Sequence, residues 1–300
     1  MLDADGVAPS LRDAVENWAA VEAPLRDLYA RVQDGAGDPF DAVAALAPFP
    51  RAFQWLDASA FPSHSALMTK VMKLDVDPGA AGIPLMYQGV SDPFFAATAD
   101  VPFRSEADGI DIEGEFAVVT GDVAMGASAD EALASVRLIL LVNDWSCRAL
   151  AGREMATGFG YVQAKPPCTL APLAATPDEL GDAWADGRVA LDLDIFVRDR
   201  AFGHANGAEM SYGFGGLVAH AAATRPLPAG TILGSGTVSN RDPAAVGSSC
   251  IAEVRGLEML AAGAAATPFL SFGDRVRMSA RAPDGSDLFG AIDCRVVAAD

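Results

Sequence analysis

Two glutamates two residues apart, Glu113 and Glu115, open the apolar run Asp111-Ile112-Glu113-Gly114-Glu115-Phe116-Ala117-Val118-Val119. On a strand, positions i and i+2 face the same side, so both carboxylates would aim at one point beside core-forming sequence. Further on, a second apolar run, Leu138-Ile139-Leu140-Leu141-Val142-Asn143, ends in Asp144. Burying several like charges is costly unless a cation holds them. A hard divalent ion with oxygen ligands is the simplest remedy, and Mg²⁺, Ca²⁺ and Mn²⁺ all accept carboxylates. Gly114 removes a side chain where something can approach closely.

Other residues have competing structural readings. Of the three histidines, His220 lies in an apolar helical pattern and reads as a core or groove residue, and His204 as a turn residue. His64, downstream of Trp55-Leu56-Asp57, is readable as loop surface or as site. Lys165 is a lone lysine in Gln163-Ala164-Lys165-Pro166-Pro167. Gly234-Ser235-Gly236-Thr237 lacks the lysine and spacing of a phosphate-binding P-loop, and reads as a tight turn presenting Thr237. A Gly-x-Ser-x-Gly nucleophile elbow is absent.

The elements that must position these groups follow from periodicity. Apolar residues at three- and four-residue steps predict a helix over Ser10 to Val32, capped by Ser10, with a short second helix from Pro39 to Leu46. Pro48-Phe49-Pro50 starts an irregular region. From Phe116 strands dominate, with Val189 to Val197 after an Asp186-Gly187 turn, and Arg275 to Ala280 paired with Leu288 to Val297. Helices are expected over Asp130 to Leu141, opened by the capping-box pair Ser128 and Glu131, and over Ser211 to Thr224. Asp144 would then close a helix, where a carboxylate opposes the dipole and wants a partner. The mixture predicts an α+β fold with a β-rich core, and the length suits one core domain, over 51–300, after a small helical N-terminal segment over 1–50.

Composition narrows the partners. The net charge is −19, from 21 basic and 40 acidic residues, which argues against nucleic acid or an anionic membrane. Hydrophobic residues make up 51% of the chain, enough for a large core, yet no run approaches the roughly 20 residues of a membrane span. With no charged-then-apolar leader, a soluble, cytoplasmic protein is expected. Cys147, Cys168, Cys250 and Cys294 are far apart, so reduced, buried thiols are expected.

Taken together, the chain resembles the fumarylacetoacetate hydrolase family. The resemblance rests on the Asp111 to Val119 segment, Val142-Asn143-Asp144-Trp145-Ser146-Cys147-Arg148, Gly234-Ser235-Gly236-Thr237-Val238-Ser239 and Leu85-Met86-Tyr87-Gln88-Gly89, in the family's order over residues 50–295. It implies a mixed β-sandwich roll of the fumarylacetoacetase C-terminal type. It also implies a divalent cation (Mg²⁺, or Ca²⁺ or Mn²⁺) held by Glu113, Glu115, Asp144 and an earlier acid matching Asp57. His64, seven residues after Asp57, matches the family's general base. Glu253 is the nearest match to the acid that orients it, two positions from the expected place. Arg148 and Lys165, with Thr169 beyond, match its oxyanion and carboxylate partners, and Tyr87 and Thr237 its substrate contacts. Ala151 stands where the family carries a glutamine. The implied activity is metal-dependent hydrolysis of a carbon–carbon bond in a 1,3-dicarbonyl acid of the fumarylacetoacetate or acylpyruvate kind, in aromatic-compound catabolism. The implied partners are a small oxo acid and a second copy in a homodimer. A 2-oxo acid decarboxylase or hydratase on the same scaffold, and a metal-binding homologue without catalysis, are the alternatives.

Overall fold

The computed structural model describes residues 1–72 and 82–299. Eleven strands form its two large sheets. In chain order they are β1 (Trp55–Ala58), β2 (Met86–Gly89), β3 (Val101–Phe103), β4 (Gly114–Thr120), β5 (Val136–Asn143), β6 (Thr169–Leu170), β7 (Asp192–Val197), β8 (Arg200–Asn206), β9 (Thr231–Gly234), β10 (Arg275–Arg281) and β11 (Asp287–Ala298). One sheet runs β2-β1-β9-β4-β5-β6 and the other β8-β7-β10-β11-β3. The β1–β9 and β11–β3 pairs are parallel and the remaining pairs antiparallel, so both sheets are mixed. This is the mixed α+β fold, with N-terminal helices, that the family resemblance implied.

The two sheets bury different amounts of themselves. Phe116, Val118, Ile139 and Leu141 on one face of the first sheet pack with Leu193, Ile195, Val276 and Ile292 of the second. Here a Cβ on Gly114 would meet the side chains of Leu193 at 2.8 Å and Ile195 at 2.6 Å. The neighbour that Gly114 admits is therefore the opposing sheet. The first sheet's other face is covered as well. Trp55, Ala117, Val119, Leu138, Leu140 and Val142 pack there with Val15 and Phe49, and Trp18 leans against them. A strand buried on both faces reads as one continuous apolar run, whereas β7 alternates with one face to solvent.

That two-sided burial corrects one expectation. Asp130 to Leu141 is not a single helix: a short helix, Ala129–Ala134, gives way to the central strand β5. The capping box of Ser128 and Glu131 is present. A short apolar run cannot be told apart as helix or strand by period alone, and the branched residues Val136, Ile139 and Val142 favour the strand. The N-terminal helix is also two, α1 (Leu11–Glu16) and α2 (Trp18–Gln33). Asn17 leaves helical geometry between them, its amide donating to the Asp13 carbonyl at 3.0 Å. Ser10 caps α1 as expected. The helix expected over Pro39 to Leu46 does not form. The Asp41 carboxylate instead accepts from the Val43 N–H at 3.0 Å, a local turn, while Val43 and Leu46 stay exposed.

Three further helices frame the site: α3 (Pro62–Val71), α4 (Arg148–Thr157) and α5 (Ile251–Ala262). Pro62 sits in the first turn of α3, where its missing N–H costs nothing. Helix α3 packs against α5, where a Cβ on Gly256 would touch Val71 at 3.0 Å. No helix among the described residues is long and apolar enough to cross a membrane.

Candidate active site

The first sheet's outer face ends in acid. Trp55 and Asp57, Glu115 and Ala117, and Val142 and Asp144 are each two positions apart, so the carboxylates continue the row of apolar side chains on that face. Oxygens of Asp57, Glu113, Glu115 and Asp144 all lie within 4.8 Å of one another. All four residues are buried, with Glu115 and Asp144 at 0% exposure. Between the strands carrying Asp57 and Glu115 runs β9, and its last residue is Gly234. A Cβ there would lie 2.5 Å from an Asp57 oxygen and 3.0 Å from a Glu115 oxygen. The missing side chain lets acids from two flanking strands meet over the middle one.

Cations and donors serve three of the four acids. Lys165 donates to Glu113 and, at 2.6 Å, to Asp144. Arg148 is ion-paired with Glu113 at 2.7 Å. The Tyr87 hydroxyl donates to Asp144 at 2.7 Å and the Cys168 thiol does so at 3.0 Å. The Gly236 N–H, in the turn after β9, donates to Asp57 at 3.1 Å. Neither oxygen of Glu115 has a hydrogen-bond donor.

The protonation of these groups follows. Burial pushes the Glu115 carboxyl well above its ordinary range, and the neighbouring Asp57 and Asp144 push it further. Burial likewise raises Asp57, with Asp144 adding to it. Asp144 is raised by burial, against the pull of Lys165. Burial presses on Glu113 too, but Lys165 and Arg148 together outweigh it and hold this carboxyl below the ordinary range. Lys165 loses stability as a cation through burial, yet Asp144 and Glu113 more than restore it, so it stays charged.

This donor set fits a hard divalent cation. It consists of carboxylate oxygens, would carry more negative charge when ionised than its two cations offset, and includes one buried carboxylate with no donor at all. Asp57, Glu113, Glu115 and Asp144 are the residues that would hold the ion.

Next to the acids lies the His64 pair. His64 stands in the first turn of α3 and its Nδ1 is 2.9 Å from Glu253, in the first turn of α5. The Cys250 thiol lies within 4.8 Å of the ligating atoms of both. His64, Arg148, Lys165, Tyr87 and Thr237 line one cavity of about 480 Å³ with Asp57 and Glu113.

Every residue expected at the site is therefore in it or bordering it, and several lesser expectations change. Asp144 follows a strand, so no helix dipole opposes it; its partners are Lys165, Tyr87 and Cys168. Thr169 accepts the Trp145 indole N–H at 2.9 Å and supports the site from behind. His220 is exposed on the outer side of a helix (Phe214–Ala221) whose buried side carries Phe214, Leu217, Val218 and Ala221. His204 lies on β8 rather than in a turn, 2.6 Å from Asp194 on the exposed face. The four cysteines are free and buried, as expected.

One residue that supports the site carries almost no signal in the sequence. Asp111 is fully buried, and its carboxylate accepts from the N–H groups of Ile112, Ile251 and Ala252 and from Arg148 Nε at 2.7 Å. It ties the start of α5, which carries Glu253, to the guanidinium that faces Glu113. Its only sequence signal is its place two residues before Glu113.

A family model described as the fumarylacetoacetate hydrolase C-terminal domain matches residues 54–297, and one described as fumarylacetoacetase N-terminal domain 2 matches residues 1–51. No curated protein matches the chain. Among solved structures, a maleylpyruvate hydrolase from Sphingobium sp. SYK-6, in complex with manganese(II) and pyruvate, is 16% identical with a TM-score of 0.67, over 99% of this chain and 92% of that one. A probable 2-hydroxyhepta-2,4-diene-1,7-dioate isomerase from Mycobacterium abscessus is 19% identical with a TM-score of 0.66, over 98% and 91%. A fumarylpyruvate hydrolase from Pseudomonas aeruginosa, in complex with Mn²⁺ and pyruvate, is 13% identical with a TM-score of 0.59, over 83% and 91%.

Proposed function

Because the chain belongs to the fumarylacetoacetate hydrolase family, we propose that it is a divalent-metal-dependent hydrolase that splits a carbon–carbon bond in a 1,3-dicarbonyl acid of the acylpyruvate kind. The observation that carries this reading is the meeting, on one cavity, of a donor-starved carboxylate quartet and a histidine held by its own acid. Bound Mg²⁺ or Mn²⁺ would supply Lewis acidity at the dicarbonyl head of the substrate.

The chain's own groups do the rest. Glu253 fixes the His64 ring through Nδ1, which leaves Nε2 to take a proton from water. The water oxygen adds to the acyl carbonyl. The bond between that carbon and the central CH₂ then breaks, and its electron pair goes to the CH₂ carbon. The proton held by His64 passes to that carbon, so the products are a carboxylic acid and a 2-oxo acid. Lys165 and Arg148 are the two permanent cations on the cavity wall among the described residues. They receive the substrate's carboxylate and the negative charge that builds on the attacked carbonyl.

The test is product analysis with the Mn²⁺-loaded protein and a panel of acylpyruvates. Two acid fragments are expected, and His64→Ala should lower the rate by about 10²–10⁴ at unchanged fold. Release of CO₂, a hydrated product or a rearranged diene would replace hydrolysis by lyase or isomerase chemistry. Tight Mn²⁺ binding with no turnover would make the protein a non-catalytic homologue.

A further inference from the structure

The cavity changes character along its length, and two helices set the change. Helix α4 offers it Arg148, Ala151, Gly152 and Met155, positions three and four apart that share one helical face. Helix α3 offers His64, Met68 and, at its C-terminal cap, Met72, spaced by fours. Each helix starts at the chemistry and climbs to methionine. At 1.5 Å per residue, Met155 stands ~10 Å along the axis from Arg148, and Met72 stands ~12 Å from His64. Leu85 and Met86 close a third side.

Among the described residues, the charged side chains of the lining stand with the acids and the His64 pair. Among the described residues lining the cavity, Arg148 and Lys165 are the only lysine or arginine side chains. Both are engaged with Glu113, and further with Asp111 and Asp144. Thr69, a polar lining residue farther along α3, is uncharged. Ala151, halfway along α4, offers only a methyl group.

We infer that the acyl tail of the substrate is apolar and uncharged, an alkyl chain or an aromatic ring lying between the methionines of α3 and α4, and that the site discriminates against a second carboxylate on that tail. This rests on the hydrolase reading only for the placement of the head. A carboxylate carried into the half-exposed methionine end would give up part of its water against apolar side chains and find no described cation. An apolar tail gains roughly threefold to fourfold in affinity for each methylene it buries. Methionine is unbranched and adapts its shape, so tails of different length and width are accommodated. Met68, Met72 and Met155 are the specificity-determining residues.

A matched pair of ligands tests this without turnover. The Mn²⁺-loaded protein is titrated calorimetrically with 2-oxooctanoate and with 2-oxooctanedioate, which differ only by the carboxylate at the far end. The expected result is at least tenfold tighter binding of the monoacid. Met72→Lys and Met155→Lys, at positions 41% and 42% exposed and so tolerant of charge, should each narrow that ratio by placing a cation at the far end. Equal or tighter binding of the diacid by the unsubstituted protein overturns the inference, as does an unchanged ratio in both variants. The two readings fail separately. If no acylpyruvate is cleaved, the hydrolase reading falls and the binding ratio still decides the tail. If the diacid is preferred, the tail is charged and the hydrolase reading is untouched.

Discussion

Asp111 and Glu115 are two fully buried carboxylates four residues apart in one stretch of chain, and they are held in opposite ways. Asp111 accepts three backbone N–H groups and a guanidinium. Glu115 accepts nothing. Burial alone therefore does not mark a functional acid. A carboxylate whose lone pairs are all satisfied is part of the scaffold, whereas one left bare in the same low-dielectric setting is shaped for a ligand that brings positive charge. The first organises Arg148 and α5. The second, with Asp57 facing it across Gly234, forms the floor on which an ion would sit.

Replacing each acid by its amide breaks the comparison most directly, and Glu115→Gln has the largest effect expected. It removes a ligand without leaving any donor unpaired, and the amide N–H can still face Asp57, so the metal-free protein should melt no lower than the unsubstituted one. The Mn²⁺-induced rise in melting temperature should disappear, and the rate should fall by about 10³ or more, since a metal's Lewis acidity is worth several kcal/mol. Asp111→Asn should do the reverse. The amide cannot accept from all four donors, and one partner of a buried ion pair is lost, at a cost of about 3–5 kcal/mol of stability. The remaining folded protein should still respond to Mn²⁺. Thermal melts of both variants with and without Mn²⁺ read the contrast, and a loss of metal response in Asp111→Asn with normal response in Glu115→Gln would invert it.

The same contrast has a pH signature. Asp57, Glu115 and Asp144 lie above the ordinary carboxylate range of about 4 in the folded chain. The metal-free fold therefore keeps protons that the unfolded chain has released, and its stability declines as pH rises from about 4 through those raised values. Glu113, held below the ordinary range, has the opposite sign: its stabilisation is in place at neutral pH and goes only in acid. Metal-free melting temperature should thus fall as pH rises above the ordinary carboxylate range, and fall less in Glu115→Gln. Stabilisation by Mn²⁺ should grow over the same range, because the ligands must give up protons to bind. A metal-free profile identical in the two proteins would show that Glu115 does not titrate there.

Which of these features the sequence reveals depends on how local they are. Glu113 and Glu115 are legible because a strand's two-residue period and its apolar neighbours are written side by side. Asp144 is legible as an acid after a greasy run, but not its strand, since a segment buried on both faces carries no alternation to distinguish it from a helix. Asp57 and His64 emerge through their seven-residue spacing in a family resemblance, because the stretch after Pro48 lacks strong periodicity. Glu253 was the nearest candidate in sequence, and its position in the first turn of α5 brings it to His64. The role of Asp111 is not legible, because the α5 N–H groups it holds are 140 and 141 residues away in sequence. The methionine walls are invisible for the same reason: they belong to two helices that only the fold brings to one cavity.

The smallest effect separates two donors on a single acid. Asp144 accepts from both Lys165 and the Tyr87 hydroxyl on Oδ2, at 2.6 Å and 2.7 Å. Only one of these donors carries charge. Tyr87 also packs edge-on against Tyr161, with ring centroids 5.1 Å apart, and Lys165 lies 5.5 Å from its ring centre. Tyr87→Phe keeps the ring and both of these contacts and deletes only the hydroxyl. Asp144 then loses a neutral donor while Lys165 and the Cys168 thiol remain. Mn²⁺ affinity should drop about tenfold, the lower end of what the loss of a group orienting a metal ligand costs. Lys165→Met, which removes the charge and leaves Glu113 and Asp144 facing each other, should instead tighten Mn²⁺ binding while lowering the rate. Calorimetric titration of the two variants side by side reads both signs. Equal losses of affinity would mean that Lys165 and Tyr87 orient Asp144 alike, and that the charge of Lys165 does not act on the site.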